Sequence, residues 1–345
     1  MSPTQVLVID DSAYMRKLIT EILSSDERIK VIGTARNGED GLQKINQLLP
    51  DVVTLDVEMP IMDGITTLKK IMQTRPLPVV MLSSASGQGR SKTAEAISNG
   101  AVDFIKKPSG PISLDLDKIK QEIIMKVLAA ASLNGINGAN NNNNLFPTLQ
   151  TRKYAKTMIA IGTSTGGPRA LQRVLSDLPK ISIPPILIVQ HMPQKFTKSM
   201  AERLKRVTHI HVKEATHGEI IKHNTAYIAP GNKHMKVRAA GFGLAIELTD
   251  EEHRNGHRPS VDTLFESLAN IREVNKVAII LTGMGSDGAK GLEILKAKDP
   301  STMIVAESKE SAVIYGMPKA AIHTGTVHSV IHLKQIGELI GNLTK

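Results

Sequence analysis

The sequence predicts two α/β domains joined by a linker, and three observations support this fold class. In both halves of the 345-residue chain, short apolar runs typical of strands alternate with segments whose apolar residues have helical spacing. Between the halves, residues 128–153 include five consecutive asparagines and have no apolar period, as expected of a linker. A glycine-rich, alternating stretch in the second half indicates antiparallel strands. We therefore expect domains at 1–127 and 154–345.

The first domain contains five strand-like runs at regular intervals. These are QVLVID, KVIGTA, DVVTLD, LPVVML and AVDFIK, with helical segments such as SAYMRKLITEILSS and GEDGLQKINQLL between them. Repeated strand–helix units favour a doubly wound, five-stranded parallel sheet. Such a sheet carries its functional site at the carboxyl ends of the strands.

The second domain repeats the pattern with three apolar strands that each lead into a helix. TMIAIG precedes PRALQRVLSDL, PPILIVQ precedes KFTKSMAERLKRV, and KVAIILTG precedes SDGAKGLEILKA. The alternating stretch at 218–248 lies between the second and third of these units. We expect a mainly parallel sheet with an antiparallel insertion.

Composition limits the classes of function. The chain has no cysteine, which excludes disulfides, thiolate metal sites and a cysteine nucleophile. It begins without a signal peptide and contains no apolar run of about 20 residues, so we expect a soluble, cytoplasmic protein without membrane insertion. Residues 1–127 contain 16 basic and 16 acidic residues, so the net charge of +10 lies entirely in residues 128–345. A basic second half suggests an acidic partner.

Carboxylates follow the strands of the first domain. Asp10 and Asp11 come directly after the first strand and Asp56 ends the third, so all three are expected at one edge of the sheet. Oxygen ligands of this kind suit Mg²⁺, which would offset their repulsion. Ser83 and Lys107 end the fourth and fifth strands and are suited to binding phosphoryl oxygens. The alternative is that the carboxylates are ordinary helix caps.

The motifs VLVIDDSAYMRK, VVTLDVEMPIMDG, VVMLSS and FIKKP resemble the receiver domain of bacterial response regulators. The resemblance spans the whole first domain and implies that Asp56 accepts a phosphoryl group. It also implies that Mg²⁺ is bound by Asp10, Asp11, Asp56 and the backbone carbonyl of Glu58. The residues implied to sense the phosphoryl group are Ser83, Lys107 and the switch aromatic Phe104.

The hexapeptide GTSTGG at 162–167 follows the first strand of the second domain and permits three interpretations. Its glycines suit a loop that binds phosphate through backbone N–H groups. The same letters contain Gly-x-Ser-x-Gly, a turn that presents a nucleophilic serine. Ser164 is also a candidate cap for the helix that begins near Pro168.

Two further residues favour the nucleophile. His191 directly follows PPILIVQ, and Asp287 lies shortly after VAIIL, so both are expected at the strand edge that carries Ser164. The backbone N–H groups of Thr165 and Met284 are the natural oxyanion donors. Taken singly, His191 has the alternative of an ordinary polar residue and Asp287 that of a turn residue.

The blocks IGTSTGGP, VQHMPQKFTKSMAERL, YIAPGNKHM, RPSVDTLFESLA, LTGMGSDGAKGL and YGMPKAAI resemble the catalytic domain of chemotaxis protein-glutamate methylesterases. With the receiver-like domain in front, the resemblance covers both domains. By position it implies the catalytic triad Ser164, His191 and Asp287 and the oxyanion donors Thr165 and Met284. It implies hydrolysis of glutamate γ-methyl esters on chemoreceptor helices, with release of methanol, and deamidation of receptor glutamines.

The resemblance also implies partners and cofactors. The substrate would be a methyl-accepting chemoreceptor and the phosphodonor a chemotaxis histidine kinase. Mg²⁺ would serve phosphorylation, while ester hydrolysis would need no cofactor. We expect a monomer that does not bind nucleic acid. Two other classes stay open, a receiver-controlled DNA-binding regulator, suggested by the basic charge, and a general serine hydrolase or peptidase.

Overall fold

The computed structural model describes residues 3–83, 95–96, 99–107, 116–132, 156–194, 196–241 and 243–343. The chain divides into two compact units, residues 1–139 and 140–345, and each is considered by itself. The last helix of the first unit ends at Ser132. The predicted linker at 128–153 falls almost entirely outside the described residues, so the boundaries at 127 and 154 stay predictions.

The first unit is the predicted five-stranded parallel sheet, in the order β2-β1-β3-β4-β5. Its described elements are β1 (Thr4–Ile9), α1 (Ala13–Ser24), β2 (Ile29–Ala35), α2 (Gly38–Leu48), β3 (Val52–Asp56), α3 (Gly64–Thr74), β4 (Val79–Ser83), β5 (Asp103–Lys106) and α4 (Leu116–Ser132). The order reverses between β1 and β3, which places the ends of these two strands beside each other at the switch point of the sheet.

The aspartates that follow β1 do not cap the next helix, α1. Ser12, rather than either aspartate, caps α1, because its hydroxyl accepts a hydrogen bond from the Met15 N–H. Asp10 accepts the Ser12 N–H at 2.9 Å, and its side chain is fully buried. The capping alternative therefore fails for Asp11 and does not account for the buried Asp10.

The second unit contains a seven-stranded parallel sheet and a separate antiparallel pair. Its described elements are β6 (Thr157–Thr163), α5 (Gly167–Ser176), β7 (Ile186–Gln190), α6 (Phe196–Val207), β8 (His211–Glu214), β9 (Thr225–Ile228), β10 (His234–Ala240), β11 (Gly243–Thr249), α7 (Val261–Ala269), β12 (Asn275–Ile280), α8 (Ala289–Lys298), β13 (Met303–Glu307), α9 (Gly316–His323), β14 (Ser329–Ile331) and α10 (Leu333–Asn342).

The large sheet has the order β14-β13-β12-β6-β7-β9-β8, so β6 lies between β12 and β7. The predicted antiparallel insertion is confirmed as the β10–β11 pair. Another part of the stretch predicted to be antiparallel, β9, instead joins the main sheet and lies parallel to β7. The strand TAYI is buried at all four positions, and this favours the sheet interior over a surface hairpin.

Apolar strands provide the core of each unit. Strands β3, β4, β6, β7, β12 and β13 are buried at every position, as expected of a parallel sheet covered on both faces by helices. Among the described helices, none is both long and apolar enough to cross a membrane.

Candidate active site

The strand order of the second unit brings Ser164 and His191 to neighbouring positions. In the parallel pair of β6 and β7, Thr163 lies opposite Gln190, so the next residue of each strand is Ser164 and His191 respectively. The His191 N–H donates to the Thr163 carbonyl at 3.1 Å. On the other side of β6, the Ser164 N–H donates to the Thr282 carbonyl at 3.0 Å, just after β12.

The turn at Ser164 is held in part by the Gln190 side chain, and the serine is not the cap of the following helix. Gly166, with a φ of +79°, is the N-cap of α5, and no side chain caps that helix. Gly167 lies so close to Gln190 that an added Cβ would approach its Oε1 to 2.0 Å. Gln190 Nε2 in turn donates to the Ser164 carbonyl at 2.8 Å. The helix-cap interpretation of Ser164 is therefore wrong.

His191 and Asp287 form a buried hydrogen-bonded pair. His191 Nε2 lies 2.7 Å from Asp287 Oδ2, and the two side chains are 7% and 1% exposed. Nδ1 of His191 is buried without a partner among the described residues. The Ser164 hydroxyl forms no hydrogen bond with any residue that the structure describes. His191 and Asp287 are thus hydrogen-bonded through Nε2, and the other ring nitrogen, Nδ1, has no partner among the described residues.

Asp287 sits at the amino-terminal end of α7, although it comes from the loop after β12. Its carboxylate accepts hydrogen bonds from the Val261 and Asp262 N–H groups, at 2.7 and 3.1 Å, and from the Ser260 hydroxyl at 2.8 Å. A helix amino terminus stabilises negative charge. Burial alone would raise the pKa of Asp287, but the hydrogen bond from His191 and those from α7 lower it to about 2.

Asp262 makes a similar contact with the amino-terminal end of α8. Its Oδ1 accepts the Gly288 and Gly291 N–H groups, at 2.9 and 2.6 Å, at the amino-terminal end of α8. Asp287 therefore binds the first turn of α7, which contains Asp262, and Asp262 binds the first turn of α8, which follows Asp287. This exchange fixes the Asp287 loop against α7, and it holds the carboxylate in place for His191.

The proposed oxyanion donors lie in two loops that are joined by Thr282. The Thr282 hydroxyl donates to the Thr165 carbonyl at 2.9 Å, and the Gly283 N–H donates to the Ile314 carbonyl at 3.0 Å. Within the described residues, neither the Thr165 N–H nor the Met284 N–H takes part in a hydrogen bond. Both are therefore available to a ligand beside Ser164.

His257, which the sequence did not single out, covers one face of His191. The two imidazole rings stack with their centroids 3.8 Å apart and their planes 5° from parallel. Burial, and then the neighbouring His191, lower the pKa of His257 to about 4. His257 is therefore neutral near pH 7, and it does not oppose a positive charge on His191.

In the first unit, the carboxylates of Asp10, Asp11 and Asp56 converge as predicted. One oxygen of each lies within 4.8 Å of the others. Lys107 Nζ lies 2.8 Å from both Asp10 Oδ2 and Asp56 Oδ2. Burial raises the pKa of Asp56 to about 6, an effect that the hydrogen bond from Lys107 partly offsets. Three carboxylates facing one ammonium fit a divalent cation, since a cation would remove this penalty.

The remaining predicted residues of the first unit lie at or near the ends of β3, β4 and β5. Ser83 is buried at the end of β4, and the Glu58 N–H lies 3.4 Å from Asp56 Oδ1. Phe104 is half-buried on β5, where the ammonium of Lys126 lies 5.1 Å from its ring centroid. Lys126 itself pairs with Asp103 and Glu122.

Comparison with known proteins assigns both units. The sequence profile described as CheB methylesterase matches residues 159–340, and that of the response regulator receiver domain matches residues 6–119. A protein-glutamate methylesterase/protein-glutamine glutaminase from Oceanobacillus iheyensis is 52% identical over 347 residues, which cover 99% of each chain. The chain belongs to the CheB methylesterase family.

Other members of the CheB family agree in length and fold. The protein-glutamate methylesterase/protein-glutamine glutaminase of Bacillus subtilis is 45% identical over 99% of this chain. The crystal structure of the Thermotoga maritima CheB methylesterase catalytic domain is 40% identical, with a TM-score of 0.53, and covers 55% of this chain and 99% of that domain. The second unit is therefore a CheB esterase domain, as expected, and not the alternative of a DNA-binding effector.

Several residues of the CheB site were not predicted from the sequence. They are Gln190, His257, Ser260, Asp262, Thr282 and Glu307. A local signal existed for Ser260, because Ser-Val-Asp-Thr before an apolar run is typical of a helix start. The contacts of the others, including those of Gln190 with Ser164 and of Thr282 with Thr165, join residues that are distant in sequence, and no local pattern identifies such contacts.

Proposed function

We propose that this chain is a phosphorylation-activated serine esterase that hydrolyses glutamate γ-methyl esters on the cytoplasmic helices of chemoreceptors and releases methanol. The proposal rests on family membership over the full chain length and on the buried His191–Asp287 pair beside Ser164. It extends to deamidation of receptor glutamines, since the names of the full-length relatives include that activity.

In the acylation step, the Ser164 hydroxyl oxygen attacks the ester carbonyl carbon while His191 Nδ1 accepts the hydroxyl proton. Nδ1 has this role because Nε2 is bound to Asp287. Asp287 holds the imidazole in one orientation and stabilises its positive charge. The Thr165 and Met284 N–H groups donate to the oxyanion. Methanol leaves with the proton from His191, and a glutamyl ester of Ser164 remains.

Deacylation repeats these steps with water. As the water oxygen attacks the acyl carbon, His191 accepts a proton from the water, and it then donates that proton to the Ser164 oxygen. The products are a glutamate side chain and the regenerated hydroxyl of Ser164. With a glutamine substrate the same steps release ammonia in place of methanol. No metal or organic cofactor takes part in either half of the reaction as proposed.

Phosphorylation is proposed to take place in the first unit. Asp56 is the proposed acceptor, and Asp10, Asp11, Asp56 and the Glu58 carbonyl would hold Mg²⁺. When bound, the ion neutralises phosphoryl and carboxylate charge. Lys107 lies within reach of Asp56 and would bind a phosphoryl oxygen together with Ser83, while Phe104 would respond to the new contact.

The cellular setting follows from this chemistry. The phosphodonor would be a chemotaxis histidine kinase, and the substrate a methyl-accepting chemoreceptor whose glutamate-rich helices attract the basic second half of the chain. We infer a cytoplasmic monomer.

Phosphorylation of Asp56 should raise the rate of methanol release by roughly tenfold, a size typical of coupling between two sites. The measurement follows methanol from a methyl-labelled receptor fragment, with and without acetyl phosphate and Mg²⁺. Asp56→Asn should keep the unstimulated rate and lose the stimulation, because a carboxamide cannot form the acyl phosphate.

Asp51→Asn provides the matched control. Asp51 precedes the other end of β3, where its carboxylate accepts the Gln5 N–H. This variant should respond to the phosphodonor as the wild type does. Equal stimulation of the wild type and Asp56→Asn would contradict the assignment of Asp56.

A further inference from the structure

Glu307 is a buried carboxyl group that the mechanism above does not use. It is the last residue of β13 and has no exposed surface. No described cationic side chain forms an ion pair with it. Its one hydrogen bond among the described residues comes from an uncharged group, the Thr282 N–H at 2.8 Å from Oε2, and its other oxygen, Oε1, is buried without a partner there. A buried carboxyl group without a cation is costly to ionise, so its presence calls for an explanation.

Glu307 contacts the active site through one residue. Thr282, whose N–H it binds, accepts the Ser164 N–H and the Thr163 hydroxyl at its own carbonyl, at 3.0 and 2.8 Å. The Thr282 hydroxyl donates to the Thr165 carbonyl. Thr282 therefore touches the backbone on both sides of the nucleophile, and it leads directly into the loop that carries the second oxyanion donor.

We propose that Glu307 is a positioning residue for the esterase reaction, and that its carboxylate form holds Thr282, and with it the nucleophile turn and the oxyanion donors, more firmly than its neutral form. A hydrogen bond to an ionised acceptor is shorter and stronger than one to a neutral acceptor. This inference rests on the proposed function and adds a source of pH dependence to the same site.

Burial raises the pKa of Glu307 from its ordinary value of 4.5 to about 7. Both forms are therefore populated near neutral pH. The titratable groups on neighbouring elements are engaged elsewhere or exposed: Lys276 pairs with Asp299, His328 contacts Lys296, His332 caps α10, and Lys309, Lys319 and His323 face solvent. Among the described residues, none of these supplies a compensating charge to Glu307.

The test compares the wild type with Glu307→Gln in the full-length protein. The carboxamide keeps an oxygen that can accept the Thr282 N–H, but it stays neutral at every pH. We expect equal kcat below about pH 6 and a kcat that is about fivefold lower in Glu307→Gln at pH 8.5, with unchanged KM. The two proteins differ at residue 307 alone, so the difference between the two profiles isolates Glu307.

Thermal unfolding provides a second readout, which is independent of activity. Because the folded-state pKa is raised, the neutral form is the favoured one in the folded protein, and the stability it provides is complete below the ordinary value of 4.5 and is lost as the pH rises through about 7. The Tm of the wild type should therefore fall relative to that of Glu307→Gln as the pH rises from about 4.5 to about 7.

The outcomes separate the two proposals. If the wild type releases methanol and the kcat profiles of the two proteins superimpose from pH 5.5 to 9, the positioning role is overturned and the esterase function stands. If the wild type releases no methanol at any pH, the proposed function fails and the inference fails with it. A kcat that differs by the same factor at every pH also overturns the role of the carboxylate charge.

Discussion

Replacing Ser164 by alanine should lower kcat for methanol release by roughly 10⁴- to 10⁶-fold, while the protein stays folded. The loss is large because the hydroxyl oxygen is the proposed nucleophile and no other group lies in its place. Stability should change little, since the Ser164 hydroxyl forms no hydrogen bond within the described residues. The measurement is single-turnover methanol release from a methyl-labelled receptor fragment, with Tm recorded for each variant.

Ser176→Ala is the matched control for this variant. Ser176 is the last residue of the neighbouring helix α5, and its hydroxyl donates to the Arg173 carbonyl at 3.1 Å. We expect wild-type kcat from this control. A Ser164→Ala protein that releases methanol at more than a few per cent of the wild-type rate would contradict a serine mechanism.

Asp287→Asn should lower kcat by roughly 10³- to 10⁴-fold with a much smaller effect on KM. The asparagine amide would face donors, namely the His191 Nε2–H and the N–H groups of Val261 and Asp262. His191 would then lose the orientation and the tautomer that leave Nδ1 free to accept a proton. Steady-state kinetics on the receptor fragment measure both parameters.

The same variant should lower the free energy of unfolding by about 2 kcal/mol at pH 7. Because the folded-state pKa of Asp287 is lowered, the stability it contributes is present above the ordinary value of 3.8 and is lost as the pH falls towards 2. Asp177→Asn, which alters a surface pair with Arg173, serves as the control and should leave kcat unchanged. Wild-type kcat in Asp287→Asn would show that His191 needs no carboxylate partner.

The strand pattern made much of the fold predictable, and it made part of the site predictable too. Asp10, Asp56 and His191 directly follow or end buried strands, and the carboxyl ends of parallel strands share one edge of a sheet. Their placement needed only the strand periodicity and the direction of the sheet. The structure adds the strand order, which places β6 between β7 and β12.

Asp287 shows where sequence reasoning reaches its limit. It lies seven residues beyond β12, and its position depends on the amino terminus of α7, which the sequence did not link to it. His257 and Glu307 are similar, because their partners lie 66 and 25 residues away along the chain. Local spacing carries no information about such contacts. The catalytic roles of all these residues stay predictions.

Covalent trapping tests whether Ser164 is the nucleophile of an acyl-transfer reaction. The full-length protein is incubated with a serine-directed fluorophosphonate, and the adduct is located by mass spectrometry of peptides. We expect one adduct per chain, on Ser164, whose formation slows strongly in Asp287→Asn and is absent from Ser164→Ala. An adduct on another residue, accompanied by loss of methanol release, would contradict this role of Ser164.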